Sequence, residues 1–268
     1  MEKIYDITSV GNALVTLFSL TDVPTDKWLH CDREFSTHDP IVMVQSVVEK
    51  YGTMPATYED WNFQFIHVTT SSDNCKSIDK YGLLDLQQSY ECKDSELRKF
   101  LDSNGVVINI AKHTLEYEGK TYDISYINVP CPPDDTLDYR EWSVGRKFYY
   151  DYACCGFLSI EDNDVYGGYV NWRPEILYNI DELLNTSLSD KWKNSHKPYE
   201  VHASVKGSDI VYRGSDNDDA VDKVLNYLSL AYDVALTSGP FEESLILKNG
   251  IQIPSKDITD IKPLSFWK

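Results

Sequence analysis

Two short segments, far apart in the sequence, carry the side chains best suited to chemistry. In the first, "FQFIHVTTSS" (residues 63–72), an apolar run predicts a strand that ends at His67. Ser71 or Ser72 can cap a following helix, so His67 is expected between a strand end and a helix N-terminus. Ligand-binding groups often lie at such positions, because free backbone donors gather there. A histidine packed in an ordinary core is the alternative interpretation.

The second segment is "GPFEESLIL" (residues 239–247), in which an acidic pair precedes an apolar strand. A carboxylate at a strand start can face a cleft while the strand anchors its backbone. Glu243 is the preferred candidate, although sequence alone does not separate it from Glu242, which strand alternation would put on the opposite face. Because the chain has 43 acidic residues, a solvated acid at the strand start is the competing interpretation.

Together the two motifs resemble the ADP-ribosyltransferase superfamily, in its His-Tyr-Glu branch with the diphtheria-like toxins and the poly-ADP-ribose polymerases. In that family small or hydroxylated residues follow a strand-end histidine, and the last motif is a glutamate that opens a strand. The resemblance extends over roughly residues 61–262. It implies an α+β fold with a split β-sheet core and flanking helices, and NAD as the substrate.

Carried over residue by residue, the resemblance implies that His67 hydrogen-bonds a ribose hydroxyl of NAD and that the backbone of Val68 holds the nicotinamide amide. Polymerases usually have glycine where this chain has Val68, which would make the pocket tighter. Thr69 or Thr70 would contact the adenosine ribose. Glu243 would bond the 2′-hydroxyl of the nicotinamide ribose and stabilise the positive charge that develops as the glycosidic bond breaks.

The family stacks the nicotinamide on a tyrosine of its second motif, and this chain has Tyr150, Tyr152, Tyr166 and Tyr169 in the corresponding region. The stretch "DVYGGYVNW" is favoured, because a glycine pair lets backbone approach a flat ring closely. Tyr166 is preferred to Tyr169 by a small margin. Ordinary packing is the competing interpretation for both, since the chain has 19 tyrosines.

The helices and strands that the sequence predicts around these residues indicate an α+β protein. Residues 1–60 are expected to form a mostly helical or irregular lead-in, and residues 61–268 the catalytic domain. Within the lead-in, Asp39 and Pro40 predict the start of a helix and Gly52 its end. Further helices are expected near residues 94–104, after Pro174 and within residues 216–236.

Between and after these helices, the pattern changes to that of strands. Alternation predicts a hairpin that turns at residues 118–120. Residues 131–142, "CPPDDTLDYREW", are expected to form a loop, and residues 146–160, "RKFYYDYACCGFLSI", a long strand. Asn249-Gly250 predicts a second hairpin, which would return from the strand that begins near Glu243.

Composition excludes several classes of protein. A net charge of −18 without a basic stripe disfavours binding to polyanions, while 13% aromatic residues argue against a disordered acidic chain. The six cysteines show neither a CxxC pair nor zinc spacing, so reduced thiols and no metal site are expected. Glycine-rich nucleotide motifs, a signal peptide and an apolar run of about 18 residues are not found, so we expect a cytoplasmic protein that is not in a membrane.

Two hypotheses of different classes follow. The first is an NAD-dependent mono-ADP-ribosyltransferase, a bacterial or phage toxin or defence protein, whose acceptor is a protein or small molecule more readily than a nucleic acid. The second is a catalytically inactive relative or an acidic decoy that binds a partner through its charge of −18. An RNA 2′-phosphotransferase on the same fold would need an arginine cluster, and the sequence shows none.

Overall fold

The computed structural model describes residues 2–126, 130–161 and 169–264. Its α-helices are α1 (Val10–Thr21), α2 (Thr25–Leu29), α3 (Cys31–Glu34), α4 (Pro40–Tyr51), α5 (Lys76–Tyr81), α6 (Leu86–Glu91), α7 (Glu96–Ser103), α8 (Leu137–Tyr149), α9 (Glu175–Leu184), α10 (Leu188–Ser195) and α11 (Ala220–Tyr232). Its strands are β1 (Ile4–Tyr5), β2 (Asn62–Ser71), β3 (Val107–Asn109), β4 (Thr114–Tyr117), β5 (Lys120–Asp123), β6 (Cys155–Ser159), β7 (Lys197–Lys206), β8 (Glu243–Ile246) and β9 (Ile258–Pro263). Helices and a mostly antiparallel sheet are thus mixed, which is consistent with the α+β class. No helix within the described ranges has both the length and the apolar composition to cross a bilayer.

The described residues form two compact units. Unit 1 contains residues 2–67, 155–161 and 202–248. Unit 2 contains residues 68–126, 130–154, 169–201 and 249–264. Residues 2–60 therefore belong to unit 1 together with segments from much later in the chain, and neither unit coincides with a division at residue 60.

The sheet of unit 1 brings together strands from distant parts of the sequence. Strands β8, β6 and β2 are neighbours in that order, and both pairs are antiparallel. The short strand β1 runs parallel to β2, with Ile4 opposite Asn62 and Tyr5 opposite Phe63. This order places the segment around His67 only two strands from the segment around Glu243.

Helices α1, α4 and α11 pack together in unit 1. The Asp39 carboxylate accepts hydrogen bonds from the first backbone N–H groups of α4, Pro40 occupies the first turn, and Gly52 follows the last residue, as predicted. Helix α11 starts at a capping box on Asp219 and buries the face that includes Val224 and Leu228. Both caps satisfy backbone donors that have no partner within the helix.

Unit 2 has its own hydrophobic core, which helices α6 to α10 and the small sheet β3-β4-β5 surround. The predicted hairpin between β4 and β5 is confirmed, with Tyr117 opposite Lys120. Its two turn residues, Glu118 (φ 48°) and Gly119 (φ 75°), both adopt the left-handed conformation. A two-residue hairpin turn needs this conformation at both positions, so a glycine is favoured there.

The predictions for residues 131–160 were partly wrong. Residues 137–149 form helix α8 rather than a loop and the start of a strand, and only Cys155–Ser159 forms a strand. The Thr136 hydroxyl caps α8, and Val144 and Phe148, four residues apart, are fully buried on one face. Burial of that face outweighs the strand preference of an aromatic-rich stretch.

Two strand boundaries also differ from the predictions. Strand β2 continues to Ser71, so His67 lies inside a strand and not at its end. The Ser71 hydroxyl accepts from the Cys75 backbone N–H (2.8 Å), which holds the turn before α5 and does not cap the helix. The predicted hairpin at Asn249-Gly250 is absent among the described residues, because the next strand, β9, has β7 as its neighbour.

A largely buried carboxylate, that of Glu96, organises the turn that follows β2 in unit 2. Glu96 accepts hydrogen bonds from the Ser71 hydroxyl (2.8 Å) and from the backbone N–H groups of Ser72 (3.1 Å) and Asp73 (3.2 Å). Its carboxylate also lies 3.3 Å from Nε2 of His196. Burial raises the pKa of Glu96, but the bonds from His196, Asp73, Ser71 and Ser72 together lower that pKa to about 2.

Glu96→Ala should therefore reduce the free energy of unfolding by about 2–4 kcal/mol, because several charge-assisted hydrogen bonds are lost and the buried Ser71 hydroxyl loses its acceptor. Urea unfolding at neutral pH measures this loss. Since the folded-state pKa is lowered, the contribution of Glu96 is present above the ordinary glutamate pKa. It is lost as the pH falls towards 2.

Glu91→Ala is the matched control, because Glu91 is exposed. That substitution should change the free energy of unfolding by no more than about 0.5 kcal/mol. Equal costs for the two variants, or a difference between Glu96→Ala and wild type that does not shrink in acid, would contradict the role of Glu96.

Candidate functional site

A cavity of about 450 Å³ lies in unit 1, and the carboxylate of Glu243 forms part of its lining. The volume is within the range of about 300–1,000 Å³ that is usual for small-molecule sites. The lining combines apolar side chains of β6 and β8, polar and aromatic side chains of α11, and the segment between β7 and α11. This mixture suits a ligand with both flat and hydrogen-bonding parts.

Glu243 is held at the start of β8 by neighbours on both sides of the strand. On one side β8 pairs with β6, with a register shift between Phe157 and Ser159 that places Ser159 opposite Glu243. On the other side, the Val211 backbone N–H donates to the Ile246 carbonyl (2.9 Å). The backbone of the strand is therefore fixed, as a catalytic carboxylate requires.

The Glu243 side chain is half-buried, yet its carboxylate forms no hydrogen bond or ion pair with any described residue. Burial raises the pKa of this carboxyl group, and the charge of Arg213 lowers it by less. Arg213 itself is exposed and donates to the Ser244 hydroxyl. A half-buried carboxylate without a protein partner destabilises the fold when it ionises, which is typical of groups kept for a ligand.

Glu242 differs from Glu243 in its exposure and in its position relative to the cavity. It is exposed, it precedes β8, and it is not part of the cavity lining. Of the two adjacent glutamates that the sequence did not separate, Glu243 is thus the one that faces the cavity.

Five aromatic rings, which we call the aromatic wall, pack beside this cavity: Tyr5, Tyr58, Phe63, Tyr212 and Tyr227. Tyr227 is central, with ring centroids 4.9 Å from both Tyr58 and Phe63, 5.6 Å from Tyr5 and 6.0 Å from Tyr212. The rings meet tilted or edge to face, the arrangements that aromatic pairs prefer. The wall fixes α11, which carries Tyr227, against β1 and β2.

A polar network in the same lining includes Tyr212, which is also part of the aromatic wall. The Asp218 carboxylate accepts from the Tyr212 hydroxyl (2.5 Å), from Nδ2 of Asn226 (3.2 Å) and from the Ser215 backbone N–H (3.1 Å). Asn226 also donates to the Tyr212 hydroxyl oxygen. Within the described ranges no group of three or more His, Cys, Asp or Glu side chains is arranged to hold a metal ion.

His67 lies on β2, with its ring anchored by β6. Its Nδ1 is 2.7 Å from the Cys155 carbonyl oxygen. Because a carbonyl oxygen only accepts, Nδ1 carries the proton and Nε2 is the acceptor of the neutral ring. Burial lowers the pKa of His67, and the bond to Cys155 opposes this in part, so the neutral form is favoured at physiological pH.

Strand register puts His67 and Glu243 on the same face of the sheet. In the order β8, β6, β2, Gly156 lies opposite Leu245 on one side and opposite His67 on the other. Side chains alternate along a strand, so Glu243, two residues before Leu245, shares this face, with its Cα about 12 Å from that of His67. Among the described residues, however, His67 does not line the cavity.

The residues after His67 belong to the part of β2 that lies in unit 2. Val68 is buried, and Thr69 is half-buried. The Thr70 side chain is buried, and its hydroxyl oxygen accepts from the indole N–H of Trp192 (2.8 Å). Thr70 therefore has a structural partner, and the NAD contacts assigned to these three residues stay predictions.

The described residues do not test the stacking role that was predicted for two tyrosines. Tyr166, the preferred one, lies outside the described residues. Tyr169 belongs to unit 2, has a left-handed backbone (φ 57°) and packs its ring on Trp172, with centroids 4.9 Å apart. The stacking role stays a prediction for both residues.

Sequence reasoning missed the other polar and aromatic cavity residues, among them Tyr212, Asn226 and Tyr227. Asn226 carried a weak signal, because it is a polar residue next to the apolar stripe of the best-defined helix. The tyrosines carried none, since 19 residues of that type are spread along the chain.

Comparison of the chain with protein-family models, with curated proteins and with solved structures gave no match. The functional interpretation therefore depends on the position and surroundings of Glu243.

Proposed function

We propose that the protein is an NAD-dependent mono-ADP-ribosyltransferase in which Glu243 is the catalytic carboxylate. One observation carries the proposal. Glu243 opens a strand, faces a ligand-sized cavity and has no hydrogen-bond partner among the described residues. The sequence motifs prefer the same residue as the family's last catalytic position, with Glu242 as the alternative that sequence alone leaves open. The split-sheet fold of the family belongs to the same proposal.

The chemistry needs such a group. Transfer begins when the bond between C1′ of the nicotinamide ribose and the ring nitrogen breaks and its electron pair leaves with neutral nicotinamide. Positive charge then develops on C1′ and the ribose ring oxygen, and a fixed carboxylate beside them stabilises this transition state. A lone pair of the acceptor next bonds to C1′, and the acceptor releases its proton to solvent. No general acid is required, because nicotinamide leaves as a neutral molecule.

We assign to His67 a binding role towards the same substrate. The resemblance assigns to His67 a hydrogen bond with a ribose hydroxyl of NAD, and the bond between Nδ1 and the Cys155 carbonyl fixes the orientation of the ring. This contact would exist in the ground state as well as in the transition state, so it contributes to affinity more than to turnover. Val68, Thr69 or Thr70, and Tyr166 or Tyr169 keep the roles that the resemblance implies for them.

The acceptor is proposed to be a protein or a small molecule. A chain with a net charge of −18 repels a phosphate backbone, so a nucleic acid acceptor would need a local basic site. The six cysteines are thiols that are not joined in disulfides, which suits a reducing cytoplasm. A role as a bacterial or phage toxin or defence protein follows from the resemblance alone.

Glu243→Gln should lower the rate of nicotinamide release from NAD by about 10²–10³-fold, because the amide cannot stabilise the developing cation. The measurement is nicotinamide release and transfer of label from NAD, with wild type and variant compared at saturating NAD. Glu242→Gln is the matched control, since it removes an adjacent exposed carboxylate and should leave the rate unchanged.

Thermal unfolding of the same variants separates catalysis from folding. Glu243→Gln should keep or raise the melting temperature at neutral pH, because it removes a half-buried charge that has no partner among the described residues. If wild type neither bound nor cleaved NAD, the enzyme hypothesis would fail, and the inactive or acidic decoy protein would be the remaining interpretation.

His67→Ala should raise the KM for NAD by about tenfold, with a much smaller change in kcat. Steady-state kinetics of nicotinamide release measure both constants. A large fall in kcat at unchanged KM would show that His67 acts in the transition state, contrary to the assigned role.

The rate should also depend on pH through Glu243. Because burial raises the pKa of this carboxyl group, its catalytic anion is lost at a pH above the ordinary glutamate value. The acidic limb of kcat/KM should therefore have its midpoint above about 4.3. A midpoint at or below that value, with the fold intact by circular dichroism, would contradict a catalytic role for a desolvated Glu243.

A further inference from the structure

The hydroxyl of Tyr227 is in an unusual position for a buried tyrosine. The side chain is only 7% exposed, and it lines the cavity that holds Glu243. Its hydroxyl forms no hydrogen bond with any of the described residues, yet the oxygen is not enclosed by protein. Buried tyrosine hydroxyls usually have a partner. Phenylalanine would pack equally well here, so packing alone does not explain the hydroxyl.

Neighbouring tyrosines show the ordinary pattern. The Tyr5 hydroxyl donates to the Tyr227 carbonyl (2.8 Å), and the Tyr212 hydroxyl donates to Asp218 (2.5 Å). Both hydroxyls are therefore committed to the protein. Tyr227 supplies a hydroxyl to this cavity that is not committed to a described residue.

Only the hydroxyl end of Tyr227 is available to a ligand. Its ring packs against four other members of the aromatic wall at centroid distances of 4.9–6.0 Å. Because the side chain is only 7% exposed, little of the Tyr227 ring is open to a stacking ligand. The residue suits hydrogen bonding rather than the stacking role that was assigned to Tyr166 or Tyr169.

The hydroxyl is a donor at any physiological pH. Burial raises the pKa of Tyr227 well above 10, and the charges of Tyr58, Tyr212 and Glu243 raise it further. Tyr227 and Glu243 both line the same cavity. The cavity thus presents a donor and a carboxylate acceptor together.

We propose that Tyr227 and Glu243 together bind a vicinal diol of a furanose, with Tyr227 donating to one hydroxyl oxygen while Glu243 accepts from the neighbouring hydroxyl. The inference rests on the proposed function and names the substrate group that the cavity recognises. The proposed function pairs Glu243 with the 2′-hydroxyl of the nicotinamide ribose. Tyr227 would therefore hydrogen-bond the neighbouring 3′-hydroxyl. Tyr227 binds the sugar and takes no part in breaking the glycosidic bond.

The test compares Tyr227→Phe with Tyr232→Phe. Tyr232 lies on the same helix and is equally buried, at 7% exposure, but it does not line the cavity, and its hydroxyl contacts Cys31. Tyr227→Phe should raise the KM for NAD about threefold to tenfold, with kcat nearly unchanged, and Tyr232→Phe should leave KM as in wild type. Tyr227→Phe should not lower the melting temperature, because its hydroxyl has no partner among the described residues.

An analogue of NAD without the 3′-hydroxyl on its nicotinamide ribose identifies the contact. Its affinity is measured by calorimetry in the Glu243→Gln background, where NAD is not consumed. Tyr227→Phe should weaken the binding of NAD and leave the binding of the 3′-deoxy analogue unchanged. Equal weakening of both ligands, or no effect on either, would overturn the role of Tyr227 while the reaction at Glu243 stands.

Failure of the proposed function gives a different result. If wild type does not cleave NAD, the two tyrosine variants are compared for binding of nicotinamide riboside and adenosine, which both carry the diol. Weaker binding by Tyr227→Phe alone would support diol recognition without transferase activity. Absence of binding to all of these ligands would overturn the inference as well.

Discussion

Packing of the aromatic wall is the constraint on which the site depends. Tyr5 comes from β1, Phe63 from β2 and Tyr227 from α11, so one group of rings joins the start of the chain to a helix more than 200 residues later. Fully burying one such side chain contributes about 1.5–3 kcal/mol. The wall thereby fixes α11 beside β8, and the cavity is the space left between them.

Beside this packed wall, the protein keeps a side chain that lowers its folding stability. The Glu243 carboxylate is partly removed from water and gains no hydrogen bond from the described residues, so its ionisation opposes folding. Glu96, in unit 2, shows the contrasting case, in which several donors surround a carboxylate and lower its pKa to about 2. Glu96 has a structural role because the protein supplies its hydrogen-bond donors. Glu243 has no such donors among the described residues, so its carboxylate is available to a ligand.

Local signals predicted the parts of the fold that depend on local chemistry. The caps of α4, the β4–β5 turn and the start of β8 at Glu243 all follow from short patterns. Helix α8 was missed, because its aromatic residues favour strands. Burial of Val144 and Phe148 on one helix face outweighs that preference. Tyr227 could not be found, since its role arises from cavity position and an unused hydroxyl, which the sequence does not encode locally.

A crystal structure of Glu243→Gln soaked with NAD tests the role of Glu243 directly, because loss of the carboxylate should prevent consumption of the substrate. If Glu243 is the catalytic carboxylate, electron density is expected in the cavity, with the nicotinamide ribose within hydrogen-bond distance, about 2.6–3.2 Å, of the side chain at position 243. Density for NAD at another place, or a cavity that stays empty at saturating NAD, would contradict the assignment of Glu243 as the catalytic carboxylate.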